Sequence, residues 1–278
     1  MFTSRRLLIA TKHKKETVLS PLLETALGVH CFTDDRLDTD KLGTFTGEVE
    51  RIDDPLTTAR KKCEWGMELT GCDLAVASEG SFGAHPTLVF VPGNDEWVLL
   101  VDKKQGIEVF GRAISTETNF SGTLISTIGE LKDFARRVQF PSHALIVRKA
   151  EKDNSDIIKA ITDWPKLEDF VKRLIEKQGS AFVETDMRAL YNPSRMKVIE
   201  QAGKRLIEKL ASNCPQCGCP GFSVTKADPG LPCYLCGTPT RSILCHWYHC
   251  QRCRFEKKEV FPSGKQTEDP MYCDICNP

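Results

Sequence analysis

No stretch of this chain approaches the ~18–20 consecutive apolar residues of a membrane helix, so nothing in the sequence places it across a bilayer. The apolar run near the start, Leu7–Ala10, is too short for the core of a secretory signal. Charge of one sign is missing as well: 38 Lys and Arg stand against 38 Asp and Glu. That balance excludes nucleic-acid or membrane-surface binding by bulk charge and leaves only local patches. Neither a P-loop nor a Ser-His-Asp pattern is visible. Cysteine is scarce at first: Cys31, Cys63 and Cys72 are the only ones before residue 214, and they fit burial as small apolar groups. With no export signal, the expected compartment is the reducing cytoplasm, where clustered cysteines serve as metal ligands rather than disulfides.

What is present is an ordinary globular composition, 40% apolar and 27% charged, over 278 residues. That is enough to bury a core and to form about two domains. Short apolar runs at Arg6–Thr11, Leu74–Ser78, Thr87–Val91, Trp97–Asp102, Ile107–Ile114, His143–Arg148 and Ala181–Glu184 read as strands. Helices are expected between Val18 and Leu27 (with Pro21 as a start or kink), from Asp54-Pro55 to Gly71, from Thr127 to Val138, and over Lys166–Lys177 and Arg195–Leu210. Asp54 before Pro55 is a helix start, and Thr127 with Glu130 has the capping-box spacing. Residues 31–51, with Gly43 and Gly47, read as loops with a short strand. The expected architecture is an α/β domain over 1–211, a mixed sheet with flanking helices, followed by a small zinc-ribbon-like module over 212–278.

The boundary is set by cysteine. Ten of the 13 cysteines lie from Cys214 onward. Eight form Cys-x-x-Cys pairs: Cys214/Cys217, Cys233/Cys236, Cys250/Cys253 and Cys273/Cys276. Each pair on a knuckle turn aims two thiolates at one metal, and two knuckles complete a tetrahedral site. Two structural Zn²⁺ are therefore expected, each closed by four cysteines. Sequential pairing, with Cys214, Cys217, Cys233 and Cys236 at one site, is favoured because its connections stay short. A cross-brace would join first with third and second with fourth. Cys219, Cys245, His246 and His249 are spare donors whose plainer role is packing. Arg252, Arg254, Lys257 and Lys258, near Trp247, Tyr248 and Phe255, form a small basic cluster that reads better as a solvated strand edge. With both four-cysteine sites loaded the tail carries about −3, against a nucleic-acid role.

Two features of the first domain can carry chemistry. Thr11, Lys14 and Lys15 lie in a basic loop between a strand and a helix, where backbone N–H groups favour phosphate. Glu79 follows the Leu74–Ser78 strand and precedes Gly80, the position of a ligand crevice in α/β domains. A carboxylate there can hold Mg²⁺ against phosphates. The plain alternatives are a solvated turn and an ordinary Glu-Gly turn.

Taken in order, Ala10-Thr11-x-His13-x-Lys15-Glu16, a helix bearing Ala59-Arg60-Lys61, and Ala75-Val76-Ala77-Ser78-Glu79-Gly80 resemble the opening of the Maf/inosine triphosphate pyrophosphatase superfamily. The resemblance implies nucleoside triphosphate hydrolysis, with Thr11, Lys14, Lys15 and Arg60 on phosphates and Glu79 on Mg²⁺. Lys12-His13 replaces the usual Asn, and the Asp-Asp-Ser-Gly form of the acidic motif is absent. A second resemblance rests on Glu184-Thr185-Asp186-Met187-Arg188-Ala189, Asn192-Pro193-x-Arg195-Met196, Cys214-Pro215-x-Cys217, Pro220-Gly221-Phe222, Gly230-Leu231-Pro232-Cys233 and Cys273-x-x-Cys276-Asn277-Pro278. These motifs are similar to a bacterial family known only as a domain of unknown function. They add Asp186, as a second catalytic carboxylate, and Arg188 to the candidates, or else an ion-paired helix entry. Three classes stay open: a Mg²⁺-dependent nucleotide hydrolase, a nucleotide- or nucleic-acid-binding module without turnover, and a protein-interaction factor built on the zinc module.

Overall fold

The computed structural model describes residues 1–42 and 53–278. Positions 43–52, including Gly43 and Gly47 of the segment expected to form loops and a strand, lie outside the described residues. The chain divides into two compact units, Met1–Lys104 with Phe110–Ile207, and Gln105–Val109 with Glu208–Pro278.

The first unit opens with β1 (Arg6–Ala10), α1 (Glu16–Leu27), β2 (His30–Phe32), α2 (Pro55–Thr70), β3 (Leu74–Ala84), β4 (Pro92–Asp102) and β5 (Ile107–Ser115), the first three residues of β5 belonging to the second unit. Their sheet runs β2-β1-β3-β4-β5. β1 is parallel to β2 and β3, and β3 pairs antiparallel with β4 from Leu74↔Asp102 to Ala84↔Pro92. Leu7 to Ala10 and Leu74 to Ala77 are buried without alternation, as parallel strands covered on both faces require. One face packs on α2: Leu8, Ala10, Ala75, Ala77, Leu99 and Val101 meet Ala59, Cys63 and Met67. Alternate residues turn to the other face, where right-handed crossovers place α1. Each fully buried Leu or Met here contributes roughly 1.5–3 kcal/mol.

Local signals set the helix ends. Asp54 accepts hydrogen bonds from the Leu56 and Thr57 amides, Pro55 takes the first position, and Gly71 closes α2 in the left-handed region at φ 68°. Such an N-cap is worth about 1 kcal/mol. α1 begins earlier than its proline suggests. The Lys14 and Lys15 carbonyls already accept from Thr17, Val18 and Leu19, so Pro21 lies inside the helix instead of starting it.

The expected strand at Thr87–Val91 is corrected: these residues form the tip joining β3 to β4. His85 Nδ1 accepts from the Thr87 and Leu88 amides, and Val91 N–H bonds Leu88 O, so the donors a strand needs are taken locally.

The unit continues with β6 (Gly122–Ile125), α3 (Ile128–Arg137), β7 (Leu145–Arg148), β8 (Ile158–Ile161), α4 (Trp164–Gln178), β9 (Ala181–Thr185) and α5 (Pro193–Ala211), the last turn of α5 entering the second unit. A second sheet, β6-β9-β7-β8, has all neighbours antiparallel. Ile125, Leu145, Val147 and Val183 pack beneath Leu131, Phe134, Leu167 and Val171 of α3 and α4. The Thr127–Glu130 capping box forms in both directions.

The second unit is built on β10 (Ser223–Pro229), β11 (Ile243–His249) and β12 (Glu256–Val260), an antiparallel meander with β11 in the middle. Its outer strands β10 and β12 are largely exposed and β11 is mostly half-buried, so the meander has little apolar core to hold it. No helix among the described residues is long and apolar enough to cross a membrane.

Candidate functional site

The four Cys-x-x-Cys segments share one backbone shape. In each, the amide four residues after the first Cys bonds back to that Cys carbonyl: Gly218 to Cys214, Gly237 to Cys233, Arg254 to Cys250 and Asn277 to Cys273, at 2.8–3.0 Å. Gly218 and Gly237 sit at φ 70° and 74°, where a side chain is strained; Arg254 takes the same region at 62°. The turn brings both thiols of a pair to one side.

The knuckles combine as a cross-brace, which corrects the sequential expectation. Cys214, Cys217, Cys250 and Cys253 form one group, and Cys233, Cys236, Cys273 and Cys276 the other; within each, all sulfurs lie within 4.8 Å of one another. The reason is the meander. The first knuckle precedes β10 and the second follows it, a strand length away. β11 returns to the first end, and β12 leads out again. Local connections therefore place successive knuckles at opposite ends of the sheet.

Sulfurs of partnered knuckles approach to 3.7 and 3.6 Å in the first group and to 3.9 and 3.6 Å in the second. Disulfides would need about 2.05 Å. Four thiolates at about 2.3 Å from a central ion lie about 3.8 Å apart. Both groups thus have the size of a tetrahedral metal site and can hold a metal ion. Cys219, Cys245, His246 and His249 lie outside both groups.

The two lysines of the meander's basic cluster lie over its own rings, while Arg252 and Arg254 are exposed. Lys257 lies over Tyr248 and Lys258 over Trp247, at 5.5 and 5.2 Å. Tyr248 donates to Glu259, and Trp247 Nε1 donates to Asp228.

In the first unit, charge is buried beside the end of β1, where its pairing with β3 stops at Ala10↔Ala77; the strand expected to end at Ser78 runs on through Glu79 to Ala84, which corrects the strand-end position expected for that carboxylate. Lys15 is the N-cap of α1, and its ammonium donates to the Ser78 carbonyl at 2.9 Å. Glu79, on the α2 face, forms an ion pair with Lys62. Glu96 lies on the opposite face, across from Gly80 in the β3–β4 register. It receives Arg195 Nε of α5 at 2.6 Å, while Nη1 of Arg195 donates to the Met187 carbonyl at 2.5 Å. A Cβ at position 80 would land on the Glu96 carboxylate, so glycine there makes room for the pair. Lys15, Lys62, Glu79, Glu96 and Arg195 are all buried. Desolvation, with Arg195 and Lys62 adding repulsion, lowers Lys15 from 10.5 to about 7.

The sequence candidates separate accordingly. Lys15 and Glu79 come together, with Lys62 and Arg195. Lys14 is exposed, at a left-handed φ of 55°, and the Thr11 hydroxyl accepts from the His13 amide. Arg60 is half-buried on α2. Asp186 is enclosed elsewhere: it accepts from Arg188 side chain and amide and from the Ala160 amide. That is the ion-paired entry weighed as its plain reading. Lys62, Glu96 and Arg195 were missed as site residues. Glu96 had a signal, the second of two acids directly before the apolar run Trp97–Val101.

The sequence matches the family described as "Domain of unknown function (DUF6671)" over residues 62–278. No curated protein matches the chain.

Proposed function

The chain belongs to that family of unknown function, and from the geometry of its sites we propose that it is a two-zinc protein whose first unit binds nucleoside triphosphates by their phosphates and hydrolyses them with Mg²⁺. An all-sulfur tetrahedral donor set suits Zn²⁺, and four protein ligands leave no open position, so both ions are structural. Such thiolates persist in a reducing compartment, consistent with a cytoplasmic protein.

One observation carries the hydrolase reading: three cations and two carboxylates, Lys15, Lys62, Arg195, Glu79 and Glu96, are buried together beside the end of β1 and the middle of β3, near the start of α1. Ends of parallel strands and helix starts are where α/β proteins seat phosphates. Lys15 and Lys62 would balance phosphate charge, with Lys14, Arg60 and Thr11 reached from the rim. Glu79 would hold Mg²⁺, which when bound neutralises phosphate oxygens and lowers the pKa of water. The order Ala10-Thr11 to Glu79-Gly80, similar to the pyrophosphatase superfamily, supports the same reading.

One observation favours a second reading. Glu79 and Glu96 each already face a cation, Lys62 and Arg195, which suits a nucleotide-binding site without turnover. Nucleic acid is less favoured, because the meander's lysines are engaged with its own rings and acids.

A thermal-shift and phosphate-release panel of nucleoside triphosphates, with and without Mg²⁺, tests both. Binding at a hundredfold excess over Kd should stabilise the protein by about 2.7 kcal/mol. Glu79→Gln should abolish hydrolysis and blunt the Mg²⁺ effect. Stabilisation without phosphate release selects the binding reading, and no shift with any nucleotide overturns both.

A further inference from the structure

Among the described residues three buried side-chain atoms have no hydrogen-bond partner: Ser78 Oγ, Asn94 Oδ1 and Arg148 Nε. Ser78 and Asn94 share one face of the β3–β4 pair. Gly80 stands opposite Glu96, and Phe82 opposite Asn94, in the register. Alternate residues point the same way, so Ser78, Gly80, Phe82, Asn94 and Glu96 line that face. It is the face that receives Arg195. Asn94 is 1% exposed. A buried acceptor without a donor is costly, and in a native fold it calls for an explanation.

The neighbours of Asn94 define which donor fits. Cross-strand partners stand about 4.5–5.5 Å apart at Cβ, which sets the Phe82 ring beside the amide. Phe82 packs on Phe120, with ring centroids 5.6 Å apart and planes tilted by 31°. Phe120 lies between β5 and β6 and is 45% exposed, so its ring can turn aside to admit a flat group. Phe82 also adjoins the buried charges: the Arg195 guanidinium carbon lies 5.4 Å from its centroid. The Ser78 carbonyl, which takes the Lys15 ammonium, is ~13 Å from Phe82 along the strand. An extended nucleoside triphosphate spans that distance.

We propose that Phe82, Phe120 and Asn94 form a nucleobase subsite and that the base it takes is adenine. Aromatic rings offer a base a stacking surface. Asn94 Oδ1 calls for an N–H donor, and Nδ2 beside it has an N–H to give. The matching edge carries a donor next to an acceptor. Adenine presents that edge at N6 and N7, where asparagine pairs with it in nucleic acids. Hypoxanthine has an oxygen in place of the amino group, so acceptor would face acceptor. The inference rests on the phosphate-binding reading above and names the base attached to those phosphates.

Isothermal titration of the full, metal-loaded chain tests it, with Ca²⁺ in place of Mg²⁺ to hold back turnover. Adenosine triphosphate should bind about tenfold more tightly than inosine triphosphate, which differs from it at that edge. It should also outbind inorganic tripolyphosphate, which has no base. Asn94→Leu should bring the adenosine nucleotide down to the inosine level and leave tripolyphosphate unchanged. Because the lost oxygen is unpaired, this variant should be no less stable than the wild type in urea, whereas an asparagine serving only the fold would be missed. Phe120→Ala, at an exposed ring, should weaken adenosine triphosphate several-fold and spare tripolyphosphate. That arm stands even if Asn94→Leu fails to fold. Equal binding of the three probes overturns the subsite alone. So does a preference for the inosine nucleotide, or an adenosine preference that survives Asn94→Leu; the unpaired oxygen is then a water site. No binding of any probe overturns the phosphate reading and this inference with it.

Discussion

Arg195 and Glu96, 99 positions apart, meet with neither side chain reaching solvent, Nε to Oε1 at 2.6 Å. The pair ties α5 to β4 behind the site. Removing one partner of a buried pair leaves the other charge stranded, at a cost of about 3–5 kcal/mol. Arg195→Met should therefore destabilise the first unit by about that much in urea unfolding. Gly80→Ala should do so too, by displacing the Glu96 carboxylate from the guanidinium. Wild-type stability in both variants would show that the pair does not hold these elements together.

Lys15 gives a pH signature. The unfolded side chain keeps its proton up to about 10.5, whereas the folded one, desolvated against β3, releases it above about 7. Between those values the unfolded state binds more protons, so this group makes stability rise with pH. Urea unfolding of the wild type at pH 7 and pH 9, beside Lys15→Met, should show that rise shrinking in the variant. Lys15→Met should also be the more stable protein at pH 7 and the weaker nucleotide binder.

Thiol pairing can be read by counting metal. Cys214→Ser with Cys253→Ser strikes one group twice and should leave one metal ion per chain in elemental analysis. Cys214→Ser with Cys233→Ser strikes both groups and should leave none. Sequential pairing would reverse the two results. Chelation should unfold the second unit and spare the first, whose core contains neither group.

His143 links the entry of β7 to the start of α5. Its Nε2 lies 2.9 Å from Ser194 Oγ and its Nδ1 3.1 Å from Ser142 Oγ. Burial lowers its pKa below the usual 6.5. As pH falls through that value the unfolded state takes a proton before the folded one does, so stability falls on acidification. Thermal unfolding at pH 7 and pH 5.5 should show a larger loss in the wild type than in His143→Gln.

Much of this architecture could be read from local chemistry. Asp54-Pro55 and Thr127 with Glu130 announced helix starts because capping is a short-range contact. Leu7–Ala10 and Leu74–Ala77 announced strands because both of their faces are buried. The Cys-x-x-Cys spacing announced knuckles, but not their partners, since partnership depends on three strands that bury little and leave a faint pattern. β6 and β8, four residues each, were missed for the same reason. In the candidate site, Lys15 was legible because it caps α1, and Glu79 because it follows the apolar run Leu74–Ser78, although β3 continues past it. Lys62 and Arg195 were hidden among ordinary helix charges, where only the tertiary fold tells a buried cation from a solvated one.

The cross-brace also bears on how the protein is made. Its two sets overlap along the chain, one reaching from Cys214 to Cys253 and the other from Cys233 to Cys276. On the ribosome the first two knuckles emerge together, before either true partner exists. Four thiols are then free to seize an ion in the wrong combination, and the correct set is complete only after β11 has been synthesised. Abundant metal during translation would thus trap mismatched chains, while scarce metal would let the meander form first. Maturation of this protein should therefore be fastest where metal is delivered late and sparingly.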